Sequence, residues 1–212
     1  QSGVHEPKTW QDRAKEERPK MSQSFNKLFS PEYRARTLIN SLLFTVSIIG
    51  LWAGSIYVPT AVTQIAVRDG YAVADAARIA SYASMVLAIA TILGCLVAPW
   101  MAETFGRVKS MAIYYVALGV SVAIGFGYIF YLPMALTSFF VLLIFLGFGG
   151  ANFALYTLWL PEQYSTDCRA SAIAFVSSAG RFVGVAMVFL LGAGISSYGT
   201  LGVPVAVTSL AF

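Results

Sequence analysis

Charged residues are scarce in this sequence. Asp, Glu, Lys and Arg together make up 11% of its 212 residues, whereas 58% of the residues are hydrophobic. Water-soluble domains carry about 25% charged residues, because polar groups must cover much of their surface. So little charge excludes an ordinary soluble domain, and we therefore expect a chain whose solvent is lipid.

Two residue types that build covalent and metal sites are also rare, since the sequence has two cysteines and one histidine. Cys95 lies in an apolar stretch and Cys168 in a polar one, a spacing that fits neither a disulfide framework nor a metal site. His5 lies among polar residues without the partners of a metal ligand or a catalytic base. Nucleophile-elbow, phosphate-loop and H-E-x-x-H patterns do not occur. We therefore predict no cofactor, no metal and no enzymatic activity.

Long apolar runs make up most of the chain from Thr37 onward. A transmembrane helix needs about 20 predominantly apolar residues to cross about 30 Å of hydrocarbon, and several runs reach that length. The final run stops at Phe212 inside apolar sequence, so we expect its helix to be cut short. The predicted spans are 37–59, 80–100, 109–131, 134–159, 171–195 and 201–212.

Residues 1–35 have a different composition, which mixes both signs of charge with Pro and Gln and lacks a sustained apolar face. We predict a solvated linker here, and a transmembrane helical bundle over residues 36–212. Glycine and alanine are frequent within the apolar runs, for example at Gly147, Gly149 and Gly150. Small residues let membrane helices approach closely, so the predicted fold is an all-α membrane protein with tightly packed helices.

The distribution of Lys and Arg predicts the orientation of the bundle. Positively charged residues concentrate on the cytoplasmic side of membrane proteins. Eleven lie in the leading segment or in the loops after the second and fourth spans, against two, Arg68 and Arg78, on the opposite side. Residues 1–35 are therefore predicted to be cytoplasmic. The same distribution explains the net charge of +4 without a nucleic-acid partner.

One cation remains, Arg181, about 11 residues into the fifth predicted span. A charged side chain near the middle of a bilayer is costly and usually faces a partner or a water-filled cavity. All ten carboxylates lie in the linker or in the predicted loops. We expect Arg181 to bind either an acid in a part of the protein beyond this chain or an anionic substrate. A purely structural role, bonding to carbonyl groups in a helix interface, is the alternative.

Other polar side chains within the spans are few. Asn152 and Tyr156 are spaced at i and i+4 on the fourth span and share one face of the helix. Trp52 lies on the first span. We predict that these three residues line a substrate site with Arg181, since small-molecule sites place a few polar groups in an apolar pocket. Contacts between helices are the alternative role.

Two loops resemble those of a known family. The segment AETFGRVKSM after the second span resembles the cytoplasmic D-R-x-G-R-[RK] loop of major facilitator superfamily transporters, with Glu in place of Asp. The segment PEQYSTDCRASA after the fourth span resembles the P-E-x-x-P-T-x-x-R-A-T loop of its sugar-porter and metabolite:proton symporter branches. The residues that carry these matches include Glu103, Gly106, Arg107, Glu162 and Arg169. The resemblance implies that the four charged ones form cytoplasmic charge networks, which hold the two halves of the transporter together in one state of its cycle.

Two further segments refine the resemblance. GLWAGSIYVPTAV on the first span is similar to the seventh helix of sugar porters, but the preceding VSII lacks the glutamines with which hexose porters hold sugar. The pair Gly180–Arg181 resembles the eleventh helix of aromatic-acid and related organic-anion symporters. The resemblance covers the chain from about residue 34 onward and implies the carboxy-terminal six-helix bundle of a twelve-helix transporter.

The function implied is secondary active transport of a small polar metabolite, favouring an organic acid, by alternating access and coupled to protons. Its partners would be the substrate, protons, the lipid bilayer and an amino-terminal six-helix bundle that also supplies the proton-carrying carboxylate. The expected location is the plasma membrane, as a multi-pass protein of a bacterial inner membrane. Two alternatives stay open: a sugar transporter of the same superfamily, and a non-transporting membrane sensor on the same scaffold.

Overall fold

The computed structural model describes residues 21–212, so residues 1–20 of the predicted linker lie outside the described part of the chain. The described residues form α-helices joined by short turns and 3-10 segments, and contain no strand. The α-helices are α1 (Met21–Lys27), α2 (Arg34–Arg68), α3 (Val73–Thr104), α4 (Arg107–Gly127), α5 (Leu136–Gly150), α6 (Asn152–Trp159), α7 (Arg169–Tyr198) and α8 (Gly202–Val207).

Five helical segments of the described chain are long and apolar enough to cross a membrane, and α5 and α6 together form one of them. A shorter apolar helix, Gly202–Ala211, follows the fifth. The predicted all-α membrane fold is thereby confirmed. The order of the six apolar segments is also the predicted one.

The helices are longer than the predicted spans. The first span was predicted to end at residue 59, but α2 continues through Pro59 to Arg68. Its 35 residues measure about 52 Å at 1.5 Å per residue, well beyond about 30 Å of hydrocarbon. Apolar composition marks only the part of a helix that lies in lipid, because backbone hydrogen bonding continues into the polar layers on either side.

The helices pack into one bundle in which α5 lies against α3 and α4, and α7 lies against α2. Glycine makes the first of these contacts possible, because a methyl group on Gly149 of α5 would lie 2.5 Å from the backbone nitrogen of Leu118 on α4. Gly180 does the same for α7, since a methyl group there would lie 2.6 Å from Cδ1 of Phe44 on α2. Helices in lipid gain no hydrophobic driving force from associating, so the van der Waals contacts of closely packed backbones stabilise the bundle instead.

One end of the bundle, which we call the basic end, carries α1 and the loops before α4 and α7. The short helix α1 is fastened there by polar contacts to the loop before α7. The hydroxyl of Ser24 donates to the carbonyl oxygen of Asp167 at 2.9 Å, and Lys27 Nζ lies 3.1 Å from Asp167 Oδ2. The hydrogen bond to Asp167 raises the pKa of the Lys27 ammonium above its ordinary value. Residues 21–33 therefore pack on the bundle that follows them.

The opposite end is closed by Arg68, one of the two cations predicted to lie there. Its guanidinium donates to the carbonyl oxygens of Phe130 and Leu132, both at 2.7 Å, and so joins the end of α2 to the turn between α4 and α5. The neighbouring Asp69 accepts a hydrogen bond from the backbone nitrogen of Met134 at 3.3 Å. These contacts hold a turn whose carbonyl groups have no helical partners.

Candidate functional site

A cavity of about 510 Å³ opens between α2, α6 and α7. It extends along α7 from Ile173, close to the basic end, to Arg181, about two helical turns further on. Its wall is mostly apolar and aromatic, with a few polar side chains, as is typical of small-molecule sites. The lining residues are Phe44, Phe153, Tyr156, Thr157, Leu160, Pro161, Ile173, Ser177 and Arg181.

Arg181 provides the only formal charge in this lining. It lies 12 residues into α7, about 18 Å along the helix from Arg169. The preceding residue, Gly180, is buried against α2, and this contact places Arg181 beside the cavity with its side chain exposed. Within residues 21–212 its guanidinium makes no ion pair and no hydrogen bond. The expected carboxylate partner is therefore not found in the described chain.

Three aromatic rings form a wall of the cavity that Arg181 also lines. Phe44 of α2 contacts both Phe153 and Tyr156 of α6 edge to face, each with ring centroids 5.2 Å apart. Phe44 and Tyr156 are almost completely buried. Edge-to-face pairs of this kind are favourable beyond their burial. The wall is thus fixed in shape and offers flat apolar surface to a ligand.

The hydroxyl groups of the lining are bonded within the protein. Thr157 donates to the carbonyl oxygen of Ala154 at 2.7 Å, and Ser177 donates to that of Ala174 at 3.2 Å. The third hydroxyl, that of Tyr156, lies 2.8 Å from Tyr115 Oη on α4. The cavity therefore offers a ligand one free cation but few free hydrogen-bond donors.

The other two predicted site residues lie elsewhere. Trp52 packs against α7 at Gly184, where a methyl group would lie 3.3 Å from the indole Cε3. Asn152 is completely buried, and neither its amide nitrogen nor its amide oxygen has a hydrogen-bond partner in the described residues. Neither residue lines the cavity that joins Arg181 to Tyr156. Their role in substrate binding stays a prediction.

Two of the residues predicted for gating, Arg107 and Glu162, meet at the basic end. Arg107 and Glu162 form a bidentate ion pair. Arg107 Nε donates to Glu162 Oε2 at 2.6 Å, and Arg107 Nη2 donates to Glu162 Oε1 at 2.5 Å. Gly106, which precedes α4, has a φ of +84°, a conformation that a residue with a side chain rarely adopts. Arg169 instead donates to the carbonyl oxygen of Tyr164 at 3.4 Å, and Glu103 makes no ion pair in the described chain. The Arg107–Glu162 pair thus links the loop before α4 to the loop after α6.

Reversing both charges of this pair tests whether it acts in the predicted transport cycle. We expect Arg107→Glu or Glu162→Arg alone to reduce substrate uptake, because two like charges then replace the bidentate ion pair. The combination of both substitutions should recover most of the lost rate. Reconstituted uptake measured for all three variants checks this prediction.

The exposed pair Asp75–Arg78, with 3.8 Å between its charged atoms, offers a matched control on α3. Reversing those charges leaves uptake unchanged. A double reversal at Arg107 and Glu162 that is as slow as either single reversal contradicts a role for the pair.

Seven of the nine residues that line the cavity lie outside the predicted site set: Phe44, Phe153, Thr157, Leu160, Pro161, Ile173 and Ser177. Helical spacing contains a partial signal for them. Ile173, Ser177 and Arg181 recur every four residues, and so share one face of α7. Phe44 has no such signal, because its place beside α6 depends on how α2 crosses the bundle.

The bundle of membrane-length helices defines a polytopic α-helical membrane protein, and comparison with known proteins identifies its family. The model of the Major Facilitator Superfamily matches residues 3–211. No curated protein and no solved structure gives a match to the chain. The chain belongs to the Major Facilitator Superfamily, a family of membrane transporters.

Proposed function

We propose that this chain forms part of a secondary transporter that carries a small organic acid. The observation that supports this most directly is the guanidinium of Arg181, which has no partner among residues 21–212 and lies on a cavity with an aromatic wall. A cation that has left bulk water without a partner is stabilised by any anion that reaches it. A carboxylate matches the planar fork of a guanidinium with two parallel hydrogen bonds. Phe44, Phe153 and Tyr156 would receive the rest of the molecule.

The same lining favours an acid over a sugar. Recognition of a sugar requires several free donors and acceptors, because each buried hydroxyl of the substrate must be paired. The protons of Thr157 and Ser177 are donated to their own helix. An anion needs only the charge of Arg181 and apolar surface for its remaining atoms. Trp52 and Asn152 stay candidates for contacts to the substrate in another state of the transport cycle.

The proposed cycle is alternating access, in which two six-helix bundles rock around a site near the middle of the membrane. This chain supplies the carboxy-terminal bundle over residues 36–212, and residues 1–35 are the cytoplasmic connector to the amino-terminal bundle. Among the described long helices, carboxylates occur only at the ends, at Asp75 and Glu103 of α3. We therefore place the proton-carrying acid in the amino-terminal bundle, and the whole protein in a bacterial inner membrane as a proton symporter.

Uptake into vesicles tests this proposal. The full-length protein is reconstituted in lipid vesicles and offered labelled phthalate, succinate or glucose, each with and without an inward proton gradient. We expect saturable accumulation of at least one acid, most strongly of phthalate because its flat ring suits the aromatic wall, and faster uptake with the gradient. Glucose should not accumulate.

Protein-free vesicles measure passive entry in the same experiment. Accumulation of glucose but of neither acid contradicts the proposed substrate class and favours the sugar transporter. Binding of phthalate without accumulation under any gradient contradicts transport and favours a sensor on the same scaffold.

A further inference from the structure

Tyr156, the largest polar residue on the cavity wall, is tied to a residue that does not line the cavity. Its hydroxyl lies 2.8 Å from Tyr115 Oη on α4. Tyr115 Oη in turn lies 2.6 Å from the carbonyl oxygen of Leu43 and 2.7 Å from Oγ of Ser47, both on α2. Three helices of the bundle therefore meet at one phenol oxygen.

The direction of these hydrogen bonds follows from the number of protons. A tyrosine hydroxyl has one proton to donate and two lone pairs that accept. The carbonyl oxygen of Leu43 can only accept, so the single proton of Tyr115 is donated to it. At its other two contacts Tyr115 must accept, which makes Tyr156 and Ser47 the donors. The hydroxyl of Tyr115 is then fully used.

Because Tyr156 is buried, its hydroxyl depends on Tyr115 as hydrogen-bond acceptor. The side chain of Tyr156 is 2% exposed and Ser47 is fully buried, so water does not offer either hydroxyl an alternative acceptor. A buried donor that loses its acceptor costs free energy, and the side chain turns to find another. The place of the Tyr156 ring in the cavity wall therefore depends on Tyr115.

We propose that Tyr115 is a positioning residue of the substrate cavity, which accepts a hydrogen bond from Tyr156 and so holds the Tyr156 ring in the aromatic wall of the cavity that Arg181 also lines. Tyr156 then contributes its ring to a bound anion and no hydrogen bond from its hydroxyl. The inference rests on the proposed function insofar as it concerns substrate. The hydrogen-bonded chain itself does not depend on that function.

The variant Tyr115→Phe tests the proposal in the reconstituted full-length protein. We expect the KM for phthalate uptake to rise by about fivefold to tenfold, the factor of one lost hydrogen bond, while the maximal rate is retained. In a Tyr156→Phe background residue 156 has no hydroxyl proton that needs an acceptor, so adding Tyr115→Phe should change KM by less than about twofold. Ser47→Ala, which leaves the Tyr156–Tyr115–Leu43 chain intact, should leave KM unchanged.

The adjacent Tyr114 provides a matched control on the same helix. Tyr114 is fully buried, whereas Tyr115 is half-buried, and Tyr114 donates one hydrogen bond, to the carbonyl oxygen of Gly94 at 2.7 Å, but has no link to Tyr156. Tyr114→Phe should therefore leave the KM for phthalate unchanged. Equal KM values for Tyr114→Phe and Tyr115→Phe, or an undiminished effect of Tyr115→Phe in the Tyr156→Phe background, overturn the proposal.

Thermal unfolding in detergent gives a readout that does not require transport. We expect the melting temperature of the double variant Tyr115→Phe/Tyr156→Phe to fall by less than the sum of the two single shifts, because both remove the same hydrogen bond. Additive shifts overturn the proposed chain. If the unmodified protein takes up no acid, the proposed function fails while this cycle still decides whether the two tyrosines are coupled.

Discussion

Replacing Arg181 with alanine abolishes uptake of the organic acid in the proposed transporter. The substitution leaves the anion in a largely apolar cavity without a counter-charge, and removal of one member of such a charge pair costs at least about 2 kcal/mol, or about thirtyfold in kcat/KM. Initial rates of phthalate uptake at several concentrations, measured in vesicles with equal amounts of inserted protein, check this value.

The fold should tolerate this substitution, because Arg181 is exposed and makes no ion pair or hydrogen bond within residues 21–212. Arg181→Lys keeps the charge but loses the planar fork, so intermediate uptake is expected. Arg78→Ala removes an exposed arginine of α3 whose ion pair in the described structure is with its neighbour Asp75, and should leave uptake unchanged. Normal uptake by Arg181→Ala contradicts a substrate role and assigns the arginine to structure.

Placing a methyl group on Gly149 destabilises the bundle. Ideal geometry puts that methyl carbon 2.5 Å from the backbone nitrogen and 2.7 Å from Cα of Leu118, and backbone atoms cannot turn aside as a flexible side chain does. Overpacking of a close contact costs about 1–3 kcal/mol. Gly149→Ala should therefore unfold at a clearly lower temperature in detergent, and should lose uptake in proportion to the folded protein that remains.

Gly192 of α7 is a suitable control, because a methyl group there meets no atom of the described chain within 4 Å. Alanine is the better helix former by about 1 kcal/mol, so Gly192→Ala should be neutral or slightly stabilising. Equal melting temperatures for Gly149→Ala and the unmodified protein contradict the close packing of α4 and α5.

The type and order of the helices were predictable from the sequence, whereas their ends were not. Hydropathy measures how strongly a side chain prefers an apolar solvent to water, so the apolar runs identify the residues that contact lipid. Hydropathy does not show where a helix ends outside lipid, and α2 is an example. This helix continues nine residues past the predicted end of the span and ends at Arg68. Contacts to the turn between α4 and α5 hold that extension in place, and they join residues more than sixty positions apart.

The candidate site was predictable in part for a related reason. An isolated cation in an apolar run is visible in any sequence, which is how Arg181 was found. The i and i+4 spacing that selected Tyr156 also selected Asn152, yet only Tyr156 lines the cavity. Spacing shows which residues share a face, but the packing of α6 against α2 and α7 decides which part of that face is open. Phe44 enters the wall through that packing alone.

The chemical reactivity of position 181 tests the central claim most directly, namely that this side chain faces a water-filled cavity. In the full-length protein with Cys95 and Cys168 replaced by alanine, Arg181→Cys is treated with a charged, water-soluble methanethiosulfonate. The neighbouring Phe182, which is 80% exposed and does not line the cavity, provides the control variant Phe182→Cys. We predict rapid modification at position 181 and slow modification at position 182. Equal, slow modification at both positions would place Arg181 against lipid and contradict the account.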